Sequence, residues 1–175
     1  DIKVLVDFHR AQRGLIGAAQ SEGNAALYYQ RLEQYKSNVQ VYGVPVKAKE
    51  LFGVLHLKGF VIDDTLLYSG ASLNNVYLQF TEKYRLDRYF VIRQPKLCDA
   101  FVEFTNDTII ASDAVPRLDK RPIPSYTDIK GQHRQLVKAL KRAAYKPASE
   151  QAQTPLSIRP FIGLGRRNNK LNRLI

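Results

Sequence analysis

Apolar residues recur along this chain with two periods, one of two residues and one near 3.6, and the two alternate from start to end. Ile2 to Phe8 alternates and predicts a first strand followed by a loop. Ala18 to Lys36 reads as a helix, with Ala25, Tyr28, Leu32 and Tyr35 at helical spacing. Val39 to Val44 reads as a second strand closed by Pro45, and Val54 to Ile62 with Leu66 to Ser69 as a hairpin turning at Asp63-Asp64. Tyr89 to Arg93 predicts another strand, and Lys96 to Ala111 a helix with Leu97, Phe101, Phe104 and Thr108 in line. Thr127 to Tyr145 predicts a helix with Arg134, Lys138, Lys141 and Arg142 on one face and Leu136, Leu140, Ala143 and Ala144 on the other. Leu156 to Gly163 reads as a last strand, and Gly163-Leu164-Gly165 as a plain turn. This order predicts an α/β fold, a mixed sheet flanked by helices. Arg117 to Pro124 is Pro-rich and basic and reads as a connector; Lys146 to Pro155 reads as a polar linker.

Composition changes this picture in two ways. The net charge of +11 is confined to one part of the chain: residues 1–116 carry 13 Lys and Arg against 13 Asp and Glu, and residues 117–175 carry 14 against 3. A neutral part thus bears a strongly basic extension, suited to nucleic acid, an anionic membrane surface or a phosphorylated substrate. A single cysteine, Cys98, excludes an internal disulfide and a cysteine-based metal cluster, and a reducing cytoplasm is the expected compartment. No apolar run reaches the roughly 20 residues that span a bilayer. The first residue is not Met, and Asp1-Ile2-Lys3-Val4 already has the character of a strand, so the chain is expected to begin inside a longer protein.

The chemistry concentrates in His56-Leu57-Lys58-Gly59-Phe60-Val61-Ile62-Asp63, which reads His-x-Lys-x-x-x-x-Asp. In a strand, residues two apart project to one side, so His56 and Lys58 are expected on one face. An imidazole beside an ammonium makes a phosphate site, one nucleophile or acid and one fixed cation. With three histidines in the chain, chance alone produces this spacing on the order of 0.01 times. Gly70-Ala71-Ser72-Leu73-Asn74 follows where a second phosphate-binding turn is wanted. The plain alternative is a strand with a satisfied histidine and a lysine reaching to solvent. Arg10, Gln12 and Arg13 follow the first strand, where loops build sites in α/β sheets, and Arg10 and Arg13 are candidates to hold a diphosphate or carboxylate. His9 reads as a structural histidine or a site residue.

The segment resembles the phospholipase D superfamily, whose signature is His-x-Lys-(x)4-Asp-(x)6-Gly-Ser. Six residues separate Asp63 from Gly70, as in that signature, but position 71 is Ala where Ser is usual, and hydroxyl and amide reappear at Ser72 and Asn74. With the flanks Val6-Asp7-Phe8-His9-Arg10-Ala11-Gln12-Arg13-Gly14, Tyr68-Ser69 and Lys83-Tyr84-Arg85-Leu86-Asp87-Arg88-Tyr89, the chain is similar to bacterial phosphatidylserine synthases of the phospholipase D type over nearly its whole length. The resemblance implies one half of a pseudo-two-fold bilobal enzyme, the other half carrying another such motif. No second His-x-Lys occurs here, since His9 is followed by Arg10-Ala11 and His133 by Arg134-Gln135. It implies residues 1–116 as a catalytic half, 117–155 as a basic connector with an amphipathic helix, and 156–175 as a strand opening the second half.

By resemblance, His56, Lys58 and Asp63 are catalytic, Ser72, Asn74, Arg10 and Arg13 bind substrate, and Asp87 orients the histidine of the other half. The activity implied is transfer of a phosphatidyl group from CDP-diacylglycerol to L-serine through a phosphohistidine, with no cofactor and no metal. The partners implied are these substrates and the second catalytic half, in the same chain or a second subunit; no specific nucleic acid is expected. Arg134, Lys138, Lys141 and Arg142 are expected to face an anionic membrane surface, making the enzyme peripheral to the inner face of the plasma membrane. A homodimeric nuclease or phosphodiesterase of the superfamily, and a catalytically silent basic nucleic-acid-binding module, remain open alternatives.

Overall fold

The computed structural model of the 175-residue chain describes residues 1–13, 23–35, 38–46, 55 and 58–143. It is α/β, in the order β1 (Ile2–Asp7), α1 (Phe8–Gln12), α2 (Asn24–Gln34), β2 (Val39–Val44), β3 (Phe60–Ile62), β4 (Thr65–Ser69), β5 (Tyr89–Arg93), α3 (Pro95–Phe104) and α4 (Tyr126–Arg142). Strands β1 and β2 pair in parallel, Ile2 opposite Val39 through Asp7 opposite Val44. Strands β3, β4 and β5 form a separate antiparallel sheet in that order.

Strand β2 carries the middle of the molecule because alternate side chains leave it on opposite faces. Val41 joins Phe8, Ala11, Ala25, Leu118 and Ile129 on one side, while Tyr42 and Val44 join Ile109, Ala114, Val115 and Leu136 on the other. Helix α4 serves both clusters, Ile129 in the first and Leu136 in the second. A third cluster sits under the antiparallel sheet, where Leu66, Val61 and Ile92 pack on Leu97, Cys98 and Phe101 of α3. Burial raises the Cys98 thiol pKa, as suits a core sulfur. The opposite face of that sheet is open: Phe60, Ile62 and Val91 are 46%, 64% and 68% exposed.

Several elements depart from the periodicity. Phe8–Gln12 is a helix rather than a loop, because the Asp7 carboxylate accepts from the His9 and Arg10 amides at 3.0 and 2.9 Å and caps it. The helix after residue 95 ends in a π turn, Thr105–Ile110, with the Ala111 amide reaching the Asn106 carbonyl at 2.8 Å. A π turn closes over five residues rather than four. Ile109, five after Phe104, therefore takes the buried place that a regular helix assigns to Thr108. The expected helix start at Ala18, the linker from Lys146 and the strand from Leu156 lie outside the described residues, as do Ala144 and Tyr145.

The Pro-rich segment read as a connector is packed into the core. The Gly43 amide donates to the Pro116 carbonyl at 2.9 Å, the Leu118 amide to the Val41 carbonyl at 2.8 Å, and Leu118 is fully buried. Buried Asp119 accepts from the Val41 amide at 2.9 Å and is forked by the Arg117 guanidinium, which also lies over the Tyr42 ring. Arg121 reaches the Ala25 carbonyl at 3.1 Å and covers the Tyr29 ring, tying the segment to α2. Burial pushes the Asp119 carboxyl pKa up, but hydrogen bonds from Arg117 and Val41 together outweigh it and hold it below its ordinary value. Asp119→Ala should therefore cost about 3 kcal/mol at neutral pH, since it strands Arg117 and the Val41 amide. A folded pKa below the unfolded one gives stability that is present above the unfolded value and lost as pH falls through the folded value. Urea unfolding should show the gap between parent and variant narrowing at acid pH.

Candidate functional site

The parallel strands end at Asp7 and Val44. Asp7 is half-buried there. Its Oδ1 caps α1, and its Oδ2 accepts the Leu55 amide at 2.8 Å. Leu55 also packs its side chain against the cluster of Tyr42, Val44 and Leu136. The residue immediately before His56 is thus held twice, by a carboxylate and by the core. His56 and Leu57 lie outside the described residues.

Lys58 is half-buried and precedes strand β3. Between them Gly59 has φ 129°, and a Cβ there would sit 3.0 Å from the Leu67 carbonyl oxygen of β4. Only glycine takes that backbone at so close an approach. The strand expected from Val54 to Ile62 is seen at Phe60–Ile62; Val54, His56 and Leu57 lie outside the described residues, and Gly59 breaks the extended geometry after Lys58. Strict alternation therefore does not run from Lys58 into the hairpin.

Asp63 occupies the tight hairpin turn, with Ile62 opposite Thr65 and φ 49° at Asp63 itself. Aspartate tolerates this left-handed conformation better than most residues, so its place is explained by the turn. It is exposed. At the far end of β4, buried Ser69 accepts the Ala71 amide at 3.0 Å through its hydroxyl oxygen. The Asp87 carboxylate lies against Gly70: a Cβ on that glycine would be 3.1 Å from Asp87 Oδ2. Asp87 also accepts its neighbour Arg88 amide at 2.6 Å. The fold thus brings the Gly70-Ala71-Ser72 turn and Asp87 together across 17 residues of sequence. Ser72 is exposed, and its carbonyl accepts the Asn74 amide. Asn74 Oδ1 accepts the Tyr77 amide at 3.2 Å, so that oxygen is engaged in its own turn. Arg10 is exposed and Arg13 half-buried just past α1.

An aromatic row runs from α1 to α4. The His9 ring is 5.2 Å from Phe8 and 5.1 Å from Tyr126, and Tyr126 is 5.7 Å from His133. The Tyr126 hydroxyl and His133 Nδ1 are 2.9 Å apart. Burial, then the nearby His9, lowers the His133 pKa, so it is neutral at neutral pH. His9 is accordingly placed as a packing residue linking α1 to α4. Arg134, Lys138, Lys141 and Arg142 are all exposed on α4, and Lys130 joins them. The buried face of that helix begins earlier than expected, with Ile129 and His133.

Asp7 and Asp119 are missed by motif reading. Asp7 had one signal, a carboxylate just past an apolar strand, which is where an N-cap sits. Asp119 had none, because its partner amide lies 78 residues away. Among the described residues, no group of three or more His, Cys, Asp or Glu is placed to hold a metal ion.

No family model matches the chain. It is 46% identical over 176 residues to the CDP-diacylglycerol–serine O-phosphatidyltransferase of Escherichia coli K12, covering all of this chain and 39% of that protein. It is 44% identical over 180 residues to the Haemophilus influenzae protein of the same name, covering 40% of it. A mitochondrial CDP-diacylglycerol–glycerol-3-phosphate 3-phosphatidyltransferase of Gallus gallus is 25% identical over 119 residues, 60% of this chain. The crystal structure of phosphatidylserine synthase from Haemophilus influenzae matches with a TM-score of 0.84 at 42% identity, over 99% of this chain and 39% of that one.

Proposed function

We propose that this chain, which spans about two fifths of the length of the bacterial CDP-diacylglycerol–serine O-phosphatidyltransferases it matches, supplies one of two half-sites for moving a phosphatidyl group from CDP-diacylglycerol to L-serine. The observation that carries this reading is similarity of the whole chain, at 46% identity, to an enzyme of that name. The signature spacing from His56 to Gly70 supplies the chemistry. His56 attacks the phosphatidyl phosphorus; a P–N bond forms, the phosphoanhydride P–O bond breaks, and CMP leaves with a proton from a histidine of the second half. That second histidine then takes the proton of the serine hydroxyl, whose oxygen attacks phosphorus and frees His56. Lys58 and its counterpart neutralise the non-bridging oxygens as charge builds. Asp87, beside the Gly70 turn, orients the other half's histidine.

Three further observations support parts of this reading. The Gallus gallus relative differs in its named acceptor but shares CDP-diacylglycerol as donor, which favours a donor-handling role for the common segment. The open face of β3–β5 with Phe60, Ile62 and Val91 is the kind of apolar surface another body covers, and the second half is that body. Among the described residues no helix is long and apolar enough to cross a membrane. The exposed basic side of α4 offers a peripheral route to an anionic bilayer at the inner face of the plasma membrane.

The test compares the full-length protein with the isolated 175-residue chain. The full-length protein should release CMP from CDP-diacylglycerol only when L-serine is present. The isolated chain, with one His-x-Lys, should release none. An isolated chain that dimerises and cleaves DNA would replace this reading with the nuclease one.

A further inference from the structure

We infer that Asp7 is a positioning residue for the nucleophile, acting through the Leu55 amide. This rests on the phosphatidyl-transfer reading, with His56 as the attacking group. The Asp7 carboxylate divides its work between two oxygens. Oδ1 takes the His9 and Arg10 amides at 3.0 and 2.9 Å and starts α1; Oδ2 takes the Leu55 amide at 2.8 Å. A residue needed only to cap a five-residue helix has no use for the second contact. Leu55 is 48 residues away in sequence and directly precedes His56. Its side chain is already seated against Tyr42, Val44 and Leu136, so the amide contact fixes the backbone at Leu55, one residue before His56. A nucleophile must stand within a few tenths of an ångström of its line of attack, and an error near 1 Å costs on the order of 100-fold. A charged acceptor holds an amide more firmly than a neutral one.

The two oxygens let one substitution separate the roles. Asp7→Asn keeps one carbonyl oxygen for the α1 cap but turns an NH2 towards the Leu55 N–H, so two donors face each other. Asp7→Ala loses both contacts. In the full-length enzyme, with CDP-diacylglycerol in detergent micelles and saturating L-serine, Asp7→Asn should lower kcat by roughly 10- to 100-fold. KM for CDP-diacylglycerol should stay at the parent value, and the unfolding midpoint should lie nearer the parent's than that of Asp7→Ala. A parent-like kcat in Asp7→Asn overturns the inference. So does an activity loss that only tracks the unfolded fraction, which would reduce Asp7 to a helix cap. His56→Asn, measured alongside, separates the two levels: if it too turns over normally, the reading of His56 as nucleophile has failed.

Discussion

His56→Asn in the full-length protein is expected to remove phosphatidyl transfer, with kcat falling on the order of 10⁴-fold or more. Asn keeps a hydrogen-bonding side chain of similar reach but cannot form the P–N bond, so the covalent route is lost rather than slowed. Nucleophile and acid act as a unit in such sites, and removing one member costs nearly as much as removing both. Leu55, the residue before His56, keeps its contacts to Asp7 and to the core in the variant. Rapid quenching of the parent with labelled CDP-diacylglycerol should trap phosphatidyl label on His56. Label on the second half's histidine would exchange the two roles. Near-parent turnover in the variant would sink the assignment.

Changing Arg134, Lys138, Lys141 and Arg142 together to Gln should weaken binding of the full-length protein to anionic vesicles by roughly 10³-fold at low salt. Each basic residue near such a surface contributes about 1 kcal/mol, and four make about 4 kcal/mol. The difference should shrink at high ionic strength, since the Debye length falls from about 8 Å at physiological salt to about 3 Å at 1 M. All four side chains are exposed, so the fold does not depend on them. Turnover of detergent-dispersed substrate should stay near the parent value. Unchanged vesicle binding would return this helix face to ordinary solvated surface, and lost detergent activity would place it at the substrate site.

Local order was legible wherever burial on one face set the period. Strands β2 and β5 fall where the apolar pattern places them, and the hairpin turns at Asp63-Asp64 as its flanking strands require. Helix α4 starts one residue before the expected Thr127, because the Ser125 and Asp128 side chains close a capping box across its first turn. The signature spacing, the neutral and basic halves of the charge, and the likeness to phosphatidylserine synthases also came from the order of residues alone.

What the order of residues could not decide is where distant segments meet. Arg117 to Pro124 has the composition of a connector, yet Leu118 and Asp119 are buried because β2 offers them a groove and an unpaired amide. The π turn is invisible to a 3.6-residue period, since it changes the period itself and moves Ile109 into the core in place of Thr108. His133 lies on a basic helix, and only the tertiary packing that buries it near His9 lowers its pKa. Asp87 reaches Gly70, and Asp7 reaches Leu55, through chain separations that no spacing rule covers. Periodicity reports which side of an element is buried, because burial repeats with the geometry of that element; pairing between elements depends on the packed shape of the whole chain.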